Sequence, residues 1–169
     1  MSLTNSVSFL RDTKSIGELS ELIVATALAR KGYLVAKPIG ENARYDLIID
    51  LDEKLSRVQV KTGRLRNGAI LFNTYSSHYH RKGGVCKSYV DQIDFFGVYC
   101  PQLCSVYLIP LSDTAPSSGS LRVHATKNGQ NSHVRWAEPY LISVEPVLDL
   151  VVGAQVVDAV AGSSLLLPS

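Results

Sequence analysis

One helical pattern followed by a series of short apolar runs predicts an α/β domain, a mixed β-sheet flanked by helices. The helical pattern is Ile16, Leu19, Leu22, Ile23 and Ala27, spaced to fall along one face. The runs behind it are strand-length and separated by tight polar or glycine-bearing turns. With 169 residues, 46% apolar and 19% charged, the chain has the make-up of one ordinary globular domain and not of a disordered one.

Residues 1–14 are polar and read as a flexible N-terminal segment. Ser15-Ile16-Gly17-Glu18 fits a capping box, with Ser15 as N-cap and Glu18 reaching back to it. Arg30, Lys31 and Gly32 form the matching stop signal. Short strands are then predicted at Tyr33 to Lys37, Tyr45 to Leu51 and Arg57 to Thr62, the last two joined by a polar turn around Asp52. Gly63 to Gly68 is a basic turn before a strand at Ala69 to Asn73, so the segment reads as a meander with antiparallel neighbours. Thr74 to Ser88 is a long polar stretch. Strands follow at Phe95 to Tyr99 and Ser105 to Ile109, then a Ser-, Pro- and Gly-rich loop over 112–120 and a last strand at Leu121 to His124. Residues 144–169 are apolar and nearly uncharged, a packed helix or an oligomer contact.

The net charge of +2 conceals a strong asymmetry. From Lys54 to Val90 there are eight basic residues (Lys54, Arg57, Lys61, Arg64, Arg66, Arg81, Lys82 and Lys87) and no acidic one. Beyond Arg135 there are Glu138, Glu145, Asp149 and Asp158 and no Lys or Arg. This division implies one face suited to a polyanion, a solvated basic loop being its plainer reading. The longest apolar run, Leu22 to Ala29, is far too short to span a membrane. Three cysteines cannot all pair, and the opening MSLTNSVSFL lacks the order of a secretory signal. A reducing, cytoplasmic setting is therefore expected. Cys100 and Cys104 lack the second pair that a zinc site needs and are expected to be buried thiols; Trp136 is expected in the core.

The chemistry concentrates at Asp46 and Gln59-Val60-Lys61. Residues two apart in a strand share a face, so Gln59 and Lys61 project together while Val58 and Val60 enter the core. Asp46 has no turn or cap to serve inside its apolar run. If its strand pairs with Arg57 to Thr62, a carboxylate, an amide and an ammonium meet at one sheet edge, with Glu18 approaching from the helix. Such a set can hold Mg²⁺ and position a water. Glu18 also has a purely local reading as the capping partner of Ser15. His78 and His80 read as metal ligands less readily than as residues of a polar loop.

At these positions the sequence resembles the PD-(D/E)xK nuclease superfamily, and most of all its intron-encoded homing endonucleases of restriction-enzyme fold. The likeness rests on Gly17-Glu18, on Arg44 to Asp50 and on Arg57 to Thr62. Further pieces are Tyr89 with Ile93 to Tyr99, Tyr107 to Pro110, Asn128-Gly129-Gln130 and Arg135-Trp136-Ala137. The resemblance implies a restriction-endonuclease-like sheet over residues 15–143. Asp46 then matches the metal-binding aspartate, Lys61 the lysine, Glu18 a helical glutamate near the metal, and the Val60 carbonyl a further ligand. Gln59 stands where most members carry Asp or Glu, and an amide brings an oxygen without a charge.

The resulting expectation is a Mg²⁺- or Mn²⁺-dependent, site-specific endonuclease acting on double-stranded DNA. Arg57, Arg64, Arg66, Asn67, His78, His80, Arg81, Lys82 and Lys87 are its candidate DNA contacts, Arg64, Arg66, Asn67 and the His78 to Lys82 loop being candidates for groove readout. A Holliday-junction resolvase shares this core, and Gln59 keeps open a catalytically silent DNA-binding module. Two-strand cutting by one centre per chain calls for a homo-oligomer, a dimer or tetramer, with the apolar tail as contact.

Overall fold

The computed structural model describes residues 12–40, 42–51, 53–80, 83–125 and 134–142, with the side chains of all of these except 77–80 and 83–86. The expected flexible segment lies outside these residues up to position 11, as do Arg81, Lys82, the piece Asn128-Gly129-Gln130 and the whole tail 144–169.

The helix α1 spans Thr13–Arg30 and begins earlier than its sequence signal. Asp12 is its N-cap and makes no side-chain cap bond, so Ser15 lies inside the first turn and the capping box is not formed. The C-terminal signal is met: Gly32 takes the left-handed conformation, φ +91°. Helix α1 buries Ser20, Val24, Ala27 and Leu28.

The main sheet has six strands in the order β1-β2-β3-β8-β9-β11, namely β1 (Leu34–Ala36), β2 (Leu47–Leu51), β3 (Lys54–Thr62), β8 (Phe95–Cys100), β9 (Ser105–Pro110) and β11 (Leu141–Ile142). Every neighbouring pair is antiparallel except β3 and β8, which run parallel with Gln59 beside Phe96 and Lys61 beside Val98. A parallel pair needs a long crossover, and residues 63–94 supply it. This crossover holds β4 (Arg64–Arg66), β5 (Ala69–Phe72), β6 (Tyr75–His80) and β7 (Gly83–Ser88), so the segment is not the simple meander that its short turns predict. The polar stretch expected between Thr74 and Ser88 is a β6–β7 hairpin. Its largely polar sequence lacks the apolar alternation that announces a strand.

One face of the main sheet receives α1, through a core of Val24, Ala27, Leu28, Leu47, Ile49, Val58 and Val60. Gly97 permits this approach, because a Cβ there would stand 2.7 Å from Val24 Cγ1. The opposite face carries a second core in which Phe96, Val98 and Ile109 meet Ile70, Phe72 and Leu121. Those last three belong to a three-stranded sheet, β10-β5-β4, where β10 is Gly119–Arg122. The β4–β5 turn is Asn67-Gly68, both at positive φ, the backbone that a tight two-residue hairpin favours. Among the described residues α1 is the one α-helix, so the helices flank one face only. No described helix is long and apolar enough to cross a membrane.

Two further expectations fail. Trp136 is 38% exposed, and Cys104 is exposed while Cys100 is buried. Cys104 occupies a tight turn in left-handed conformation after the short helical turn Pro101–Leu103, which turns its side chain away from the core.

Candidate active site

Strand β3 lies inside the sheet, between β2 and β8, and not at an edge. Its alternation is as expected: Val58 and Val60 are buried under α1, while Gln59 and Lys61 are half-buried on the other face. Asp46 stands just before β2 and is tied to β3 by its own N–H, which donates to the Val58 carbonyl at 2.9 Å. Its carboxylate Oδ2 accepts from the Val60 N–H at 2.7 Å and from the Gln59 amide Nε2. Asp46, Gln59 and Val60 are therefore one hydrogen-bonded unit. Lys61, next along the same face as Gln59, donates from Nζ to the Tyr89 hydroxyl at 3.1 Å.

The charge on Asp46 sits in an awkward place. Burial is the main influence and pushes its carboxyl above the ordinary carboxylate range. The Val60 N–H opposes this, Glu21 adds to it, and Lys61 and Lys37 oppose it weakly. A carboxylate whose water has been removed and only partly replaced is suited to bind a cation.

The helical acid whose field reaches Asp46 is Glu21 and not Glu18. Glu18 is largely exposed and lies 3.9 Å from Lys14 one turn away. Glu21 is half-buried and holds Lys37 at 2.7 Å, a contact that raises the Lys37 ammonium above its usual range. A signal for this existed in the sequence. At 3.6 residues per turn, Glu21 lies about 60° around the helix from the buried Val24, and Glu18 about 120°. Neither the capping box nor the family resemblance, both of which single out Glu18, carries this angular information.

The candidate DNA contacts divide. Arg57 is committed to Asp94: its N–H and guanidinium donate to Oδ2 at 2.7 and 3.1 Å, and this pair holds the Asp94 carboxyl below the usual range. It braces β3 against the start of β8. Arg64 and Arg66 are two apart on β4, exposed, and form no ion pair with a carboxylate among the described residues. They line a cleft of about 490 Å³ with Thr62 and Asn73, directly beyond the end of β3 that carries Lys61. Asn67 is exposed at the hairpin tip, and Lys87 is exposed. His78 and His80 lie on β6, their side chains outside the described residues.

Among the described residues no three of His, Cys, Asp and Glu gather into a metal-binding group. The set around Asp46 instead offers a carboxylate and the Val60 carbonyl, with the Gln59 amide donating from Nε2 to both. Hard cations such as Mg²⁺ accept such oxygens and keep several waters, so the set fits that ion once the Gln59 amide is turned to present its oxygen in place of an acid.

A mixed-sheet α/β domain with an acid at the head of one strand and an amide and a lysine on the adjacent one is the build of a restriction-endonuclease-like nuclease. The chain belongs to the PD-(D/E)XK endonuclease family, whose model matches residues 11–143. It is similar to Protein 5.3 of Escherichia phage T7, at 34% identity over 79 residues. That match covers 47% of this chain and 64% of the phage protein, so less than two thirds of that relative is spanned. Its fold is that of a bacterial homing endonuclease, I-Ssp6803I: TM-score 0.62, with 84% of this chain and 94% of the other covered at 22% identity.

Proposed function

We propose that the protein is a Mg²⁺-dependent endonuclease that hydrolyses duplex DNA at a specific site. The observation that carries this reading is the joining of Asp46 to Gln59 and Val60, with Lys61 next on the same face. Asp46, the Gln59 amide oxygen and the Val60 carbonyl are the residues that would hold the ion, with Glu21 as the helical acid in place of Glu18. Bound there, a divalent ion would supply Lewis-acid polarisation of the phosphate and a more acidic water.

The chain's own groups do the rest. Lys61 orients the water and stabilises the negative charge that grows on phosphorus-bound oxygens as water attacks and the bond to the leaving sugar oxygen breaks. Asp46, too desolvated to carry its charge comfortably, gains most from a cation and so couples metal occupancy to the site. Arg64 and Arg66, continuing from the Lys61 end of β3, take the DNA backbone by phosphate contacts that position without reading sequence. Asn67 at the tip and the β6–β7 hairpin are the candidates for groove readout. Because a centre of this kind cuts one strand, the reading includes a homo-oligomer, a dimer or tetramer, in a reducing cytoplasmic setting.

Supercoiled plasmid and a synthetic four-way junction, each incubated with the protein and Mg²⁺, test the proposal. Discrete plasmid fragments support it. Cleavage confined to the junction would favour a resolvase, and binding without cleavage a silent module in which Gln59 has cost the site its chemistry. Sedimentation of the full chain tests the oligomer; a monomer at micromolar concentration contradicts it.

A further inference from the structure

The Lys61 ammonium is placed by more than its own strand. Its Nζ donates to the Tyr89 hydroxyl at 3.1 Å and stands 5.0 Å from the centre of the Tyr89 ring. Tyr89 is 3% exposed, packed edge-on against Phe96 at 5.6 Å and 87°. Phe96 is the β8 neighbour of Gln59, so the ring rests on the same sheet face that carries the site. The backbone carbonyl of Tyr89 accepts from the Gln92 and Ile93 N–H groups, which fixes it at the head of a tight turn.

Arg44 then locks that turn. Its guanidinium lies 4.6 Å from the centre of the Tyr89 ring. It donates to the Gln92 side chain, to Ser76 Oγ at 2.6 Å, and to the Ser88 and Lys87 carbonyls at 3.1 and 3.4 Å. Arg44 is also two residues before Asp46. The loop that delivers the acid and the turn that steadies the lysine are thus held by one side chain, with its nitrogens spent on protein partners.

We propose that Tyr89 is the positioning residue for Lys61, with Arg44 as the brace that keeps it in place. A lysine side chain has a flexible four-carbon stem and loses much freedom when fixed. The phenol oxygen and the ring face both attract an ammonium, the first by a charge-assisted hydrogen bond and the second by its negative quadrupole. Together they hold the charge where the attacked phosphate must lie before DNA arrives, so the ordering cost falls on folding and not on the reaction. This positioning role rests on Lys61 belonging to the cleavage centre, as proposed above.

Tyr89→Phe removes one buried oxygen and keeps the ring. Single-turnover cleavage of plasmid, DNA affinity and melting temperature are measured on the full chain beside Lys61→Ala. The expected result is a cleavage rate lowered about tenfold, the size of a lost hydrogen bond to a charged group, with DNA affinity within twofold and melting temperature unchanged. Arg44→Gln should lower the rate in the same direction, again at unchanged affinity. A Tyr89→Phe rate equal to wild type beside an inert Lys61→Ala would overturn the positioning role alone. A rate loss matched by a loss of melting temperature or of DNA affinity would overturn it too, since Tyr89 would then be ordinary core. Wild-type cutting by Lys61→Ala would instead overturn the assignment of Lys61, and with it the role of Tyr89.

Discussion

Two neighbouring regions of this protein hold basic side chains at the candidate site, and they treat charge in opposite ways. Where the head of β2 lies against the far end of β3, Asp46, Gln59 and Lys61 are half-buried, and the Asp46 carboxylate, the Gln59 amide and the Lys61 ammonium all have protein partners. On the β4–β5 hairpin, Arg64, Arg66 and Asn67 stand in solvent, and the two arginines line an open cleft. Burial strengthens electrostatic forces and fixes geometry, which chemistry needs. Exposure leaves cations free to exchange small counterions for phosphates, which docking needs. The same kind of charge therefore predicts different behaviour at the two places, as Lys61 and Arg64 illustrate within three positions.

Substitutions can separate the two regions. The largest effect is expected from Lys61→Ala, which should slow cleavage on the order of 10³-fold while filter binding gives nearly the wild-type affinity; equal losses in both would merge the two regions. Next is Gln59. Gln59→Ala should cost about 10- to 100-fold in cleavage, the range for removing a group that orients a metal site, whereas Gln59→Glu should stay active or change its preference between Mg²⁺ and Mn²⁺. A fully active Gln59→Ala would remove Gln59 from the ligand set.

Smaller effects belong to the hairpin. Arg64→Ala and Arg66→Ala should leave the cleavage rate of the bound complex intact and weaken binding. Each should also flatten the log–log salt dependence by roughly 0.9 for every phosphate no longer neutralised. An unchanged slope would exclude the hairpin from the interface. The smallest effects are on stability and come from two carboxyls of opposite behaviour. Asp94 is held low, so its contribution is present above the ordinary carboxylate range and lost as pH falls through its lowered value. Asp46 is held high, so folding favours its protonated form, and that benefit is lost as pH rises through its raised value. Without divalent ions, Asp94→Asn should lower the melting temperature at neutral pH and converge with wild type in acid. Asp46→Asn should match or exceed wild type at neutral pH. Melting curves across that range check both signs.

Much of this arrangement was legible in the residues themselves. The period-two alternation of Val58, Gln59, Val60 and Lys61 placed two side chains in the core and two in the site. An acid at the head of the apolar run Tyr45 to Leu51, with no turn or cap to serve, marked Asp46. Illegible features depended on partners distant in sequence. Nothing near Arg57 announces that Asp94, 37 positions on, takes its guanidinium. The parallel pairing of β3 with β8, which moves the site from an expected edge to the interior, depends on a crossover of which local pattern reads only β5 as a strand and the rest as turn or polar stretch. At the helix start, the capping pattern of Ser15 and Glu18 does not form because the helix begins at Thr13, and the angular position of Glu21 accounts for its half-burial.

Cleavage of supercoiled plasmid by wild type and Asp46→Asn, each with Mg²⁺ and with a chelator in its place, tests the central claim most directly. Wild-type protein should cut with Mg²⁺ and stop with chelator, and Asp46→Asn should be inert in both while remaining folded and bound to DNA. Cutting by Asp46→Asn at near the wild-type rate, or by wild type under chelation, would contradict the assignment of Asp46 as the metal-binding acid of a cleavage centre.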